Sequence, residues 1–412
     1  MKTRLYFLVL IILITAMQAF AATNIKEMFE EGTGSVEIRT LYFNRTFNSS
    51  KADMEDQAIG GMFHYKTAPL KGVSFGVGFY TSNDINSDDD DDVYGNLAKG
   101  SDGSHESYTK MAEYFVQGDW FDTTIRYGAQ EIVTPFVNKY DFRMSPKTYK
   151  GLAVVNRSVE NLEASLYYIT DFMDNNSLDY VDAGYSFNKN MDDNPLYAAG
   201  LKYSAEVSES FKIIPQAWYY TMQDGFAFTY GNVEFTGASP LGKYSVKPSY
   251  LSQKAIGSKD GGDLDTYQYG VAGNLKTHGF DISLYYAKTG DDAVSAPWGN
   301  SKVIVQQVLA STRAEEKAYA AKVGYDFTKL GATGLSFAVF YANYDTPDSG
   351  VNKSDDQSET DYDLTYKFSM PALKGLSLRA RYADIDTDGG TDYVDKRLYA
   401  VYTFNFGGKA AK

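Results

Sequence analysis

The chain has 412 residues, no cysteine, 35 tyrosines, 36 glycines and 10 prolines, and a formal net charge of −14. Absence of cysteine excludes a disulfide framework and cysteine-ligated metal, and the acidic balance argues against nucleic acid, which attracts basic surfaces. So many tyrosines and glycines suit half-buried, tightly packed strands better than helical bundles.

The N-terminus reads as an export signal. Lys2 and Arg4 form a positive segment, residues 5–16 an apolar one, and Ala19-Phe20-Ala21 a small-residue cleavage site, the pattern of a secretory signal peptide over 1–21. No later stretch approaches the ~18 apolar residues that a spanning helix needs. An exported chain of this kind is either a soluble secreted protein or an outer-membrane β-barrel.

From Gly34 onward the pattern has period two. Val36, Ile38, Thr40 and Tyr42 alternate with Glu37, Arg39, Leu41 and Phe43; Ile59, Gly61, Phe63 and Tyr65 alternate with Gly60, Met62, His64 and Lys66. Such alternation predicts strands with one apolar and one polar face. Short connections at 68–72, 119–122, 159–162, 207–210, 277–280, 330–334 and 371–375 are interleaved with long polar ones such as "NDINSDDDDDVYGNLAKGSDGSHES". Short turns on one rim and long loops on the other predict an all-β transmembrane antiparallel barrel, with periplasmic turns and extracellular loops. A soluble sandwich does not need that rhythm.

Seven hairpins plus a first and a last strand give sixteen strands. The stretch 226–254 adds another pair if it is counted, giving eighteen, although Pro240 and Pro248 weaken the strand reading there. The chain closes on "RLYAVYTFNF" (397–406), where Leu398, Ala400, Tyr402, Phe404 and Phe406 form the lipid-facing set. Residues 22–412 are read as a single barrel domain.

The connection at about 134–148 is rich in proline and aromatics and is expected to fold into the lumen. There Asp141 and Arg143 either face the channel or pair with each other. The run Pro135, Asn138, Asp141, Arg143, Pro146, Tyr149 and Gly151, spaced P-x-x-N-x-x-D-x-R-x-x-P-x-x-Y-x-G, resembles the OprD-type outer-membrane porin family. The likeness continues in "YDFTKLGATGLSFAVFYANYD", "ALKGLSLRARYADI" and "KRLYAVYTFNF", and departs at the tail "GGKAAK". The resemblance implies eighteen strands, a third loop that narrows the pore, a ladder of Arg and Lys on one wall, and small solutes, often carboxylates or amino acids.

Parity alone places Arg39, His64, Lys66, Arg379, Arg381 and Arg397 toward the lumen from four strands that are consecutive around a closed barrel, with Arg126 added from the fifth strand. Such a wall attracts anionic groups, unless each cation is neutralised by a neighbour such as Glu37, Asp384 or Asp395. Acid gathers in the long loops at 88–92, 291–292 and 355–356, as a solvated fringe facing lipopolysaccharide or as an acidic mouth. Asp384, Asp386, Asp388, Gly389, Asp392 and Asp395 have the spacing of a calcium loop, with Asp where the twelfth-position Glu usually stands. That makes Ca2+ the one candidate cofactor.

His64, His105 and His278 show no nucleophile–base spacing, and neither H-E-x-x-H nor G-x-S-x-G occurs. No enzyme is expected. The sequence reading is an outer-membrane porin for passive diffusion of small hydrophilic solutes. Its expected partners are outer-membrane lipid, lipopolysaccharide and the barrel-assembly machinery, with monomer and homotrimer both open. The alternative is a plugged structural or adhesive barrel with calcium-binding loops.

Overall fold

Eighteen barrel strands follow one another among the described residues. They are β1 (Thr33–Phe47), β2 (Met54–Lys66), β3 (Val73–Asp84), β4 (Tyr108–Trp120), β5 (Thr123–Gln130) and β6 (Thr148–Asn156). Next come β7 (Leu162–Met173), β8 (Leu196–Tyr203, continued by Ala205–Ser208), β9 (Phe211–Met222), β10 (Phe226–Ser239), β11 (Gly242–Ala255) and β12 (Asp265–Thr277). The last six are β13 (Phe280–Thr289), β14 (Lys317–Asp326), β15 (Leu335–Asp345), β16 (Gln357–Lys367), β17 (Leu376–Thr387) and β18 (Tyr393–Gly407). This computed structural model describes residues 22–299 and 302–408; the segment 1–21, expected to be an export signal, and the end of the tail lie outside the described residues.

Each strand pairs antiparallel with the next, and β18 pairs with β1 from Thr33 opposite Gly407 to Phe47 opposite Tyr393. The sheet thereby closes and leaves no edge. The extra hairpin is β10–β11, turning at Pro240 and Leu241 between Ser239 and Gly242. Pro248 is tolerated because the ladder between β10 and β11 skips from Asn232–Ser249 to Phe235–Val246, so the missing N–H falls where that pairing is interrupted. The outer connection before this hairpin, 223–225, is only three residues long, which breaks the long–short rhythm.

Strand parity separates lipid from lumen. Leu398, Phe404 and Phe406 lie exposed on the outer face of β18, as do Ile38, Ile59 and Phe63 on β1 and β2. Leu41, Phe43, Ala58 and Tyr80 are buried on the inner face. At the periplasmic turn between β12 and β13, His278 (φ 50°) and Gly279 (φ 94°) are both left-handed, the backbone that suits a two-residue hairpin.

Gly61 permits the close approach of β1 and β2. Its φ is 145°, and a Cβ there would sit 1.9 Å from the Glu37 carbonyl oxygen. Gly61→Ala is therefore expected to destabilise the barrel by more than about 1 kcal/mol. The fraction of refolded protein that runs as the compact, heat-modifiable band should fall; an unchanged fraction would show that this approach is not critical.

Candidate functional site

Long loops enter the lumen, the third and the seventh among them. The third loop (131–147) leaves β5, crosses the barrel and returns at β6, with Phe136, Val137, Met144 and Ser145 fully buried. Its far end is anchored by aromatics: the Phe136 ring lies 5.4 Å from that of Tyr220 on β9, and 5.5 and 6.2 Å from those of Phe228 and Tyr230 on β10. Its near end is anchored by charge. Arg39 on β1 donates to Asp141 Oδ1 (2.6 Å) and to the Arg143 carbonyl, while Lys139 reaches Asp141 Oδ2 at 3.5 Å. Burial raises the Asp141 carboxyl, but the hydrogen bond and charge of Arg39, then those of Lys139, outweigh it and hold the group below the usual carboxylate range.

Asp141 and Arg143 do not pair with each other. Arg143 donates to the Tyr94 carbonyl (2.6 Å) and stacks over Tyr94 and Phe142. Asn138 donates its N–H to the Trp298 carbonyl (2.9 Å), and its side chain accepts from the Tyr140 N–H. Pro146 is buried and Pro135 half-buried.

Trp298 belongs to the seventh loop (290–316), whose inward course had no sequence signal of its own beyond the apolar run "VIVQQVLA". Val294, Trp298 and Ile304 are buried. The tip of the loop is seated on β16, where Glu359 accepts from the N–H groups of Val308 (2.9 Å) and Leu309 (2.6 Å) and Asp361 from that of Gln307 (3.1 Å). Phe187 of a short helix, Ala183–Phe187, packs with Phe226 and Trp298. Aromatics thus fill the lumen on the β9–β10 side.

Against the opposite wall a chamber of about 660 Å³ remains. Seven cations line it, Arg45, Arg143, Lys302, Lys322, Arg379, Arg381 and Arg397, with three carboxylates, Asp141, Asp361 and Asp363. Arg379 forks onto Asp363, and Arg381 lies 3.5 Å from Asp363 and 4.0 Å from Asp361. Arg397 and Arg45 share Asp395, at 2.7 and 2.8 Å. Burial pushes the Tyr94 hydroxyl up to about 12, so it stays protonated, donating to Asp395 and accepting from Arg45 and Arg397. Burial, with repulsion from Lys147 added, lowers Lys302 from its usual range.

The seven bases identified by parity do not form one continuous surface. Arg379, Arg381 and Arg397 line the chamber, whereas Arg39 is spent on Glu37 and the third loop. His64 pairs with Glu113 at 2.8 Å and, with Lys66, lines a separate cavity of about 410 Å³ towards the periplasmic turns. Arg126 binds Gln117 and covers the Phe115 ring. Parity sets the face, but depth separates them: Arg39 is opposite Val401, four residues along β18 from Arg397, roughly 13 Å at a strand rise of ~3.3 Å. Arg45 and Lys322 share the inward parity and could have been found by the same rule; Lys302, in a loop, could not.

The calcium spacing does not produce a convergent site. Register places Asp395 opposite Ala383, so Asp395 points inward while Asp384 and Asp386 lie on the outer face of β17, exposed. Asp392 accepts from the Thr387 N–H as part of the tight turn, in which Asp388 also lies. The extended hairpin puts alternate residues on opposite faces, where a calcium loop would fold them around one point.

A sequence model of the outer membrane porin, OprD family, matches residues 26–406. The chain belongs to the OprD family of outer-membrane porins. The fold of this porin is similar to that of Pseudomonas aeruginosa OpdK crystallised with vanillate (TM-score 0.83, 19% identity, 92% of this chain and 100% of that one). It is also similar to P. aeruginosa OccK9, or OpdG (0.81, 21%, 92% and 100%), and to Acinetobacter baumannii OccAB3 (0.80, 22%, 91% and 100%). No curated protein matches by sequence. As an OprD-family porin, the chain is a channel of the outer membrane.

Proposed function

We propose that this porin passes small hydrophilic solutes by diffusion and favours those bearing a carboxylate, carboxylic acids and amino acids among them. The observation that carries this reading is Arg381. Its side chain is 15% exposed at the chamber wall, and its nearest carboxylates stand at 3.5 and 4.0 Å, longer than a charge-assisted hydrogen bond. A guanidinium is built to bind a carboxylate with two parallel hydrogen bonds, and here part of that capacity is unspent.

Arg379, Lys322 and Lys302 stand around the same chamber, so an entering anion meets several cations inside low-dielectric walls, which focus the field. The vanillate with which OpdK was crystallised is itself a carboxylate. An open chamber of this size supports a channel rather than a plugged adhesive barrel. Export by way of the cleaved segment 1–21, followed by membrane assembly, completes the reading.

Swelling of proteoliposomes in a carboxylate and in its uncharged amide, matched in size, tests it. The carboxylate should enter faster. Equal rates would remove the chamber from solute selection.

A further inference from the structure

Away from the chamber, three potential metal ligands meet at the base of the third loop. His64 from β2, Glu113 from β4 and Glu131, the first residue after β5, offer ligand atoms that all lie within 4.8 Å of one another. From these we infer a divalent-metal site, with zinc the ion it fits best, that joins the base of the third loop to the barrel wall.

The chemistry of the donor set points to zinc. One imidazole nitrogen and two carboxylate oxygens suit a borderline ion such as Zn2+, whereas Ca2+ and Mg2+ prefer all-oxygen shells. Three protein ligands leave a fourth tetrahedral position, and the 410 Å³ cavity lined by His64 and Glu113 has room for a water there.

The surrounding hydrogen bonds are those of a supported site. Tyr80 Oη donates towards both carboxylates, at 2.8 Å from Glu113 Oε1 and 3.3 Å from Glu131 Oε1. Lys139 occupies only the other oxygen of Glu131, Oε2, at 3.0 Å, so Oε1, which Tyr80 also approaches, keeps a second lone pair for the metal. Such outer contacts orient ligands and hold their geometry.

The electrostatics point the same way. Glu113 is 6% exposed, and its only ion pair among the described residues is with His64. A divalent ion inserted between His64 Nδ1 and Glu113 replaces that pairing, with His64 neutral and its proton released to solvent. Because Glu131 begins the third loop, the bound metal clamps the loop's base to β2 and β4.

The test is calorimetric and does not depend on solute selectivity. The refolded full chain in detergent, stripped with EDTA, is titrated with ZnCl2 at neutral pH. One saturable site is expected. The chain has only three histidines, so His278→Gln, in an exposed turn, serves as the control and should bind as wild type does. His64→Gln should weaken binding by at least the roughly 10–100-fold that loss of an outer contact costs. Glu131→Gln should do the same, and it provides the reading if His64→Gln does not refold. No saturable binding by wild type, or binding unaltered in either refolded variant, overturns the site.

Discussion

Replacing Arg379 and Arg381 together with alanine is expected to shift the ion selectivity of the channel towards cations. The two guanidinium groups neutralise Asp363 and face Asp361. Their removal therefore subtracts two positive charges and also uncovers two inward carboxylates in a confined, low-dielectric space. A fall of roughly tenfold in the anion-to-cation permeability ratio corresponds to about 1.4 kcal/mol between the two barriers, a modest demand on two such groups. Reversal potentials under a salt gradient read the change directly. Arg379→Lys with Arg381→Lys, which keeps the charge but loses the planar fork, should retain ion preference while slowing carboxylate entry. An unchanged reversal potential in the double alanine variant would remove both residues from selection.

Arg39→Ala should release the third loop. Arg39 is 7% exposed and holds Asp141 and the Arg143 carbonyl from the wall of β1. Breaking a buried pair by removing one partner typically costs about 3–5 kcal/mol, because the remaining charge is left without its counterpart; here Lys139, at 3.5 Å, supplies only part of it. The aromatic end at Phe136 remains seated, so the loop is expected to swing from that end rather than leave the lumen. Open-channel noise should rise, and trypsin should cut at Lys139, Arg143 or Lys147 in the variant far faster than in wild type. Equal protease resistance together with equal noise would show that the aromatic anchor alone fixes the loop.

Much of this architecture was legible because a membrane barrel writes its geometry into the chain with period two. Ile38 and Arg39, Leu398 and Arg397 fall on opposite faces by parity alone, and the register between β1 and β18 follows that division. What parity does not encode is depth. Arg39, Arg397 and Lys66 share the lumenal face yet have different tasks, since each lies at a different height: Arg39 meets the third loop, Arg397 meets Asp395 and Tyr94, and Lys66 lines the cavity near the periplasmic turns.

The calcium spacing misled for a related reason. A ligand pattern spaced for a folded loop was laid over an extended hairpin, where Asp384 and Asp395 point to opposite sides. Pattern alone leaves the pair β10 and β11 open, because the outer turn 223–225 is too short to look like a loop and Pro248 reads as a strand breaker. The seventh loop enters the lumen through contacts made at great sequence distance, Gln307 with Asp395 and Trp298 with the third loop. Local composition does not report such contacts.

The claim that the basic chamber, rather than the acidic outer loops, governs passage can be tested on the unaltered protein. The measurement is the reversal potential of single channels of the refolded chain in a potassium chloride gradient. Small discrete steps with chloride preferred over potassium are predicted, even though the chain as a whole carries a net charge of −14. Preference for potassium would place control at the acidic mouth, and the absence of steps from protein that has folded and inserted would contradict an open chamber altogether.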